Sequence, residues 1–325
     1  MTSPIGSMRP ASPSVSCIIP ALNEAANLRQ LLPRLSRFLA DRFEHWEIVL
    51  VDDGSRDDTD ALIDEWAPAC PQFQALQLSR NFGKEAALTA GLDVARGNVV
   101  VQLDADLQHP PELIDAMLER WRAGVDVVYA VRADRSDESA IKRMGVRLFY
   151  RVMQDTERFK VPPNAGDFRL MDRQVVDALL QLPERNRFMK GLYAWVGFRA
   201  EGLPYVPAAR GSGGTRFRPL RLVRFSIDGI TGFTTWPLRM VSLTGVAFAT
   251  LAFLYGAYLV ISYLLVGHDI PGWTTAVVLM LLIGGMIMIS IGVVGEYVAR
   301  IFEEVKARPL YLVRRRVGIQ AGERP

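Results

Sequence analysis

Val99-Val100-Val101-Gln102-Leu103-Asp104-Ala105-Asp106-Leu107-Gln108 reads as a buried strand that ends on two carboxylates. Val99–Val101, with Leu103 after the single polar Gln102, shows no alternation, which suits a parallel strand covered on both faces. Residues i and i+2 of an extended segment project to one side, so Asp104 and Asp106 can hold a hard divalent cation through oxygen. Mg²⁺ or Mn²⁺ there would bridge a diphosphate and stabilise the charge of a departing nucleotide. A lone Asp-x-Asp occurs by chance in many loops, as a solvated acidic turn. Its position directly after a strand gives this one weight.

Outward from that stretch, strand and helix signals alternate. Val15–Ile19, Trp46–Val51, Ala75–Leu78, Val99–Leu103 and Val125–Val131 read as strands, the first ended by Pro20. Helical spacing runs through Asn27–Leu39, from Asp57–Thr59 to Trp66, from Lys84 to Ala95, and onward from Pro110 and Pro111 with Glu112 in the first turn. Such an order predicts an α/β domain with a mainly parallel sheet. Ligands in these sheets bind outside the carboxyl ends of the strands. Asn23-Glu24, Asp52-Asp53 and Asp104-Ala105-Asp106 all follow strands. The Asp52-Asp53-Gly54-Ser55 segment also has turn chemistry, so Gly54 is expected to make the turn while one Asp faces a ligand. From 139 to 210, helix signals mix with short strands.

Half of the 325 residues are hydrophobic, and the excess is local. Met240–Val266 and Pro271–Gly295 contain no charged residue, and each is longer than the ~20 residues that cross a bilayer core. Arg216, Arg218, Arg221, Arg224 and Arg239 precede the first run; Arg300, Lys306, Arg308, Arg314, Arg315 and Arg316 follow the second. The connector carries Asp269 and no Lys or Arg. The positive-inside rule then puts both termini in the cytoplasm and the connector outside. Leu220, Val223, Ile227 and Ile230 lie at helical spacing just before the first run, as in an interfacial amphipathic segment. The expected organisation is a disordered leader over 1–13, a catalytic domain over 14–215, an interfacial segment over 216–238, two spans (about 240–266 and 271–296) within 239–297, and a basic tail over 298–325. A net charge of +3 gives no support to nucleic-acid binding. Cys17 and Cys70 predict no disulfide in a cytoplasmic domain, and His45 and His109 have no metal-ligand spacing.

Pro20-Ala21-Leu22-Asn23-Glu24, Val51-Asp52-Asp53-Gly54-Ser55, Arg80-Asn81-Phe82-Gly83-Lys84 and Leu103-Asp104-Ala105-Asp106-Leu107-Gln108, in this order, resemble family 2 glycosyltransferases of the GT-A fold. Asn164-Ala165-Gly166-Asp167-Phe168-Arg169-Leu170-Met171 is similar to the polyprenyl-phosphate branch, which includes dolichol-phosphate mannose synthase and bactoprenol glucosyltransferases. Gly295-Glu296-Tyr297, Arg300-Ile301 and Lys306-Ala307-Arg308-Pro309 resemble its two-helix bacterial members. The resemblance runs from about Ser14 to Val313.

It implies that Pro20, Asn23, Glu24, Asp52 and Asp53 line the nucleotide site and that Lys84 sits beside the base or ribose. Asp104, Ala105 and Asp106 would meet the metal and diphosphate, with Gln108 near the sugar. Asp167 matches an acid near the reaction centre, and Arg187 and Lys190 a basic pair beside it. Arg210-Gly211-Ser212-Gly213-Gly214-Thr215-Arg216-Phe217 departs from the family's loop by Arg for Lys and Phe for Tyr, which changes the contact geometry. A polyprenyl phosphate is already an anionic nucleophile; it needs cations rather than a base. Arg132, Arg135, Lys142, Arg143, Arg210 and Arg216 are candidates, with Arg132 and Arg210 favoured by position. The resemblance further implies an inner-membrane enzyme, tetrameric, that moves glucose from UDP-glucose to undecaprenyl-type phosphate with inversion, for cell-envelope glycan or lipid modification. GDP-mannose as donor and a processive polysaccharide synthase are the alternatives, the latter lacking its Q-x-x-R-W motif here. A dinucleotide-dependent oxidoreductase would need G-x-G-x-x-G after the first strand, where Pro20-Ala21-Leu22-Asn23-Glu24 stands instead.

Overall fold

The computed structural model describes residues 9–132, 166–185, 187–205, 236–266 and 272–318. The chain divides into two units, Met1–Pro219 with Arg308–Pro325 and Leu220–Ala307. In the first, β1 (Val15–Ala21), β2 (Trp46–Asp52), β3 (Phe73–Leu78), β4 (Val99–Gln102), β5 (Val127–Arg132), β6 (Arg169–Asp172), β7 (Ala200–Tyr205) and β8 (Val313–Val317) form one sheet. Its order is β7-β5-β6-β4-β1-β2-β3-β8. The pairs β4–β1, β1–β2, β2–β3 and β5–β7 are parallel; β6 and β8 run antiparallel to their neighbours. The α/β class and mainly parallel sheet read from the sequence are the ones found.

The apolar runs explain the centre of the sheet. Ile18, Ile19, Val49, Leu50, Val51, Val99, Val100 and Val101 have no solvent exposure, because helices cover both faces. α1 (Ala25–Ala40) buries Leu28, Leu31, Leu32, Leu35 and Leu39, one stripe at helical spacing. α2 (Thr59–Ala69), α3 (Lys84–Val94), α4 (Leu113–Arg122), α5 (Arg173–Leu180) and α6 (Met189–Trp195) complete this unit among the described residues. α3 lies so close to β1 that a Cβ on Gly91 would stand 2.3 Å from Ile18 Cγ2.

Four expectations change. β1 continues through Pro20 to Ala21. Its pairing with β4 ends at Ile18, so the missing N–H of Pro20 falls beyond that ladder. α4 begins at Leu113, with Glu112 at its N-cap rather than within its first turn. The end of the expected leader is anchored: Arg9 donates to Asp126 Oδ1 (2.5 Å) and Val125 O (2.8 Å) and lies 5.0 Å over the Trp121 ring. The basic tail is not a separate segment. Val313–Val317 is the strand β8 beside β3, and Arg314 and Arg315 pair with Asp60 and Asp64 of α2. Tyr311 donates to Asp93 Oδ2 at 2.5 Å. Three consecutive arginines hid this strand, since three of its five residues are basic. The expected interfacial segment over 216–238 lies outside the described residues except for 236–238, which open the next helix.

The second unit contains α7 (Trp236–Val266) and α8 (Trp273–Lys306), of 31 and 34 residues. At 1.5 Å per residue each exceeds about 45 Å, more than the ~30 Å hydrocarbon core. Within them, Met240–Leu259 and Leu282–Lys306 are long and apolar enough to cross a membrane, and Leu251, Phe253, Leu264, Met280, Met288 and Ile289 are exposed. α8 runs ten residues past the expected end of the second span; the connector falls outside the described residues apart from Gly272.

Burial raises the Asp93 carboxyl pKa against the lowering effect of the Tyr311 bond. Tyr311→Phe removes that bond at a site more than half enclosed. A loss of about 1–3 kcal/mol in stability is expected, read as a lower melting temperature with unchanged secondary structure.

Candidate active site

The register of the sheet brings the candidate residues to one edge. Asn23 follows β1, Asp53 follows β2, Asp104 and Asp106 follow β4, and Arg132 ends β5. Gln102 pairs with Arg169 in the antiparallel β4–β6 ladder, so Asp167, just ahead of β6, arrives at the same edge as Asp104. Arg132 pairs with Tyr205, which brings the end of β7 there too.

Several polar groups at this edge build the loops. Asn23 takes a left-handed backbone (φ 57), accepts from Arg56 N (2.8 Å) and donates its own N–H to Ser55 Oγ. Glu24 accepts from Asn27 Nδ2 at 2.6 Å. Asp52 accepts from Ser55 N at 2.8 Å and closes the turn. Asp53 accepts from Phe82 N (2.7 Å) and Gly83 N (2.9 Å), which pins the loop before α3. Burial pushes the Asp53 carboxyl above its ordinary value, against those two bonds. Both aspartates are buried: Asp53 has both oxygens on backbone N–H groups, and Asp52 has one on Ser55 N and the other 3.5 Å from Gln77 Nε2. Gly54 (φ 74) makes the turn as expected; a Cβ there would stand 2.7 Å from Arg80 C.

The centre is a charge cluster. Lys84 Nζ lies 2.6 Å from Asp104 Oδ1 and 2.7 Å from Asp167 Oδ2, and Lys190 Nζ lies 3.5 Å from Asp167 Oδ1. Burial opposes charge on both partners, and the pairing wins. Asp167 is held well below the carboxylate range by Lys84 and Lys190, and Lys84 is raised by Asp104 and Asp167. Lys84 thus contacts two carboxylates, where the resemblance had it beside the base or ribose. Asp106 Oδ1 accepts from Gln108 N at 3.1 Å, and Leu107 between them is left-handed (φ 62), a strained conformation for a non-glycine residue. Arg132 Nη2 donates to Gln108 Oε1 at 2.5 Å and bonds Tyr205. Arg187 does not join its expected partner Lys190 at Asp167. Its guanidinium donates to Leu182 O (2.7 Å) and Glu184 O. Arg210 and Arg216 lie outside the described residues, as do Arg135, Lys142 and Arg143.

No group of three or more His, Cys, Asp or Glu able to hold a metal occurs among the described residues. Mg²⁺-type sites commonly use one or two carboxylates with substrate phosphates and waters, so Asp104 and Asp106 fit such an ion.

Two neighbours were not singled out in the sequence. Glu85, beside Lys84, has one carboxylate oxygen enclosed and without a hydrogen-bond partner; burial, then Asp167, pushes its carboxyl up to about 7. Arg169 is buried, donates to Gly166 O at 2.9 Å and lies 3.6 Å over the Tyr193 ring. Only adjacency to Lys84 and Asp167 could have signalled them. His109, given no role, is buried between the rings of Phe168 (5.0 Å) and Tyr205 (5.4 Å).

Residues 16–180 match Glycosyl transferase family 2, and residues 236–301 match the GtrB C-terminal hairpin. An uncharacterized glycosyltransferase of Synechocystis is 45% identical over 92% of this chain and 94% of its own length. The chain is a family 2 glycosyltransferase. Further relatives include the bactoprenol glucosyl transferase of Shigella phage SfII, 40% identical over 93% of this family 2 chain and 97% of its own. A prophage bactoprenol glucosyl transferase homolog of Escherichia coli is also 40% identical, over 93% and 98%. Among solved structures, glucosyl-3-phosphoglycerate synthase from Mycobacterium tuberculosis, in complex with Mn²⁺ and UDP, is 19% identical with a TM-score of 0.44, over 68% of this glycosyltransferase and 78% of that chain.

Glu85 sets a pH dependence of this glycosyltransferase. Its ordinary value is 4.5 and its folded value about 7, so the folded state keeps a proton that the unfolded chain has lost between them. The stabilisation is present at low pH and fades as pH rises through that window. Glu85→Gln is neutral throughout. It is expected to melt with wild type at pH 4.5 and a few degrees above it at pH 8, by thermal denaturation across a pH series.

Proposed function

We propose that the protein transfers glucose from UDP-glucose to a polyprenyl phosphate at the cytoplasmic face of a membrane, with inversion at the sugar carbon. One observation carries this reading: the Asp104–Asp106 pair stands at the carboxyl edge of the sheet in a chain whose second unit holds two apolar helices of spanning length. The near full-length relatives named bactoprenol glucosyl transferase support the acceptor class and the sugar. Asp104 and Asp106 would hold Mg²⁺ or Mn²⁺, which supplies charge stabilisation to the departing nucleotide.

The residues around that pair suit two anionic substrates. Lys84 and Lys190 bring positive charge to the centre, and Asp167 stays ionised between them. Gln108 and Arg132 form a bonded unit that can meet the sugar and the acceptor phosphate. A phosphate nucleophile is charged before it arrives, so one direct displacement serves and no covalent sugar–enzyme intermediate is required. Retention of the prenyl tail in the bilayer would leave the glucosyl lipid there for a later transferase.

The return of the chain to the sheet supports the topology. Arg308–Pro325 belongs to the same unit as the candidate site residues, as two spans between them would require. The flanking arginines favour the cytoplasm for both ends.

Asp104→Asn and Asp106→Asn are each expected to cut turnover by about 10²-fold or more while the fold persists, measured as nucleotide release with polyprenyl phosphate. Near-normal turnover in both would remove the site assignment. A panel of UDP-glucose, UDP-galactose and GDP-mannose, with mass spectrometry and NMR of the lipid, is expected to give β-linked glucosyl phosphate lipid from the first. A mannosyl lipid, a retained anomer or a lengthening polymer would each overturn the substrate reading. Protease or thiol probes are expected to reach the C-terminus only from the cytoplasmic side, and labelling of a cysteine placed at 269 only from the other.

A further inference from the structure

One ammonium stands where a metal pair and a third carboxylate meet. Lys84 Nζ bridges Asp104 Oδ1 (2.6 Å) and Asp167 Oδ2 (2.7 Å). Asp104 is also half of the pair that fits Mg²⁺ or Mn²⁺. A divalent cation on Asp104 would share that carboxylate with the ammonium, and two cations at such range repel strongly in a partly enclosed site. The base of Lys84 is fixed, because Asp53 holds the N–H groups of Phe82 and Gly83 just before it. Its head is not: the side chain is 42% exposed, on a flexible four-carbon stem with three rotatable donors.

We propose that Lys84 is an exchangeable internal counter-ion of the metal site, which yields Asp104 to the divalent cation and turns to the diphosphate of the nucleotide-sugar. The proposal rests on the reading of Asp104 and Asp106 as the metal pair. Metal alone then binds against the ammonium and is weak. Metal with a nucleotide diphosphate binds well, because the diphosphate gives the displaced ammonium a new anionic partner. Such coupling is reciprocal, so the metal tightens the nucleotide by the same factor. Lys190, 3.5 Å from the other oxygen of Asp167, keeps a cation on that carboxylate when Lys84 moves. A lysine that served only as a phosphate contact would leave the affinity for metal alone unaffected.

The test is Mn²⁺ binding to the full-length protein in detergent, read from the EPR signal of free Mn²⁺ with no turnover involved. Lys84→Met and Lys84→Gln, two independent neutral variants whose folding is checked by near-UV circular dichroism, are expected to bind Mn²⁺ alone about tenfold or more tightly than wild type. Lys84→Arg, which keeps the charge, stays near wild type, and Asp104→Asn loses binding. With saturating UDP, whose binding is verified by calorimetry, the advantage of the neutral variants is expected to vanish. If Asp104→Asn abolishes binding while neither neutral variant tightens it, the counter-ion role falls and the metal pair stands. If Asp104→Asn binds Mn²⁺ as wild type does, the metal reading itself falls. An advantage that persists with UDP bound overturns the transfer of Lys84 to the diphosphate.

Discussion

Parallel pairing of β4, β1 and β2 is the constraint on which the rest depends. Parallel strands all end at one edge, so the residues that follow each of them are gathered without any sequence proximity. Asn23, Asp53 and Asp104 meet for that reason alone. The antiparallel β6 then supplies Asp167 from the opposite chain direction, through the pairing of Gln102 with Arg169. Were β6 parallel, its first residue would lie at the far edge and Asp167 would be a strand length away from Lys84.

Burial at that edge decides which polar groups remain available for chemistry. Asp52 and Asp53 are enclosed and bonded to backbone donors, so they act as the mortar of the loops. Asp104 and Asp106 sit further out and stay partly exposed. The same acidic side chain thus builds loops after β2 and stays open to solvent after β4. The difference lies in burial: Asp52 and Asp53 are enclosed, while Asp104 and Asp106 keep part of their surface open even though Asp106 also accepts from Gln108 N.

Much of the fold was legible because the strands Ile18–Ile19, Val49–Val51 and Val99–Val101 are apolar on both faces, the mark of short strands covered by helices. The Asp104–Asp106 pair was legible from its place after such a strand. β8 was not, because Val313-Arg314-Arg315-Arg316-Val317 looks like a solvated basic tail until Asp60 and Asp64 of α2 are known to lie beside it. Pro20 misled for a related reason. Its cost in a strand depends on which neighbour needs its N–H, and that is a property of the sheet. Arg187 and Glu85 were illegible as well, since only the packing of Leu182, Glu184 and Asp167 around them decides where each points.

The position of β8 in the chain has a consequence for how the protein is made. β3 is complete early in synthesis, yet the strand that covers its edge is encoded beyond both apolar helices. At the usual pace of translation that edge stays open for roughly tens of seconds. A bare edge strand is a template for pairing with other chains, so the nascent domain is most exposed to misassembly while its two long apolar helices are being made. Sheet closure therefore waits for the synthesis of both apolar helices, and a chain that stops short of Val313 leaves the edge of β3 without its partner.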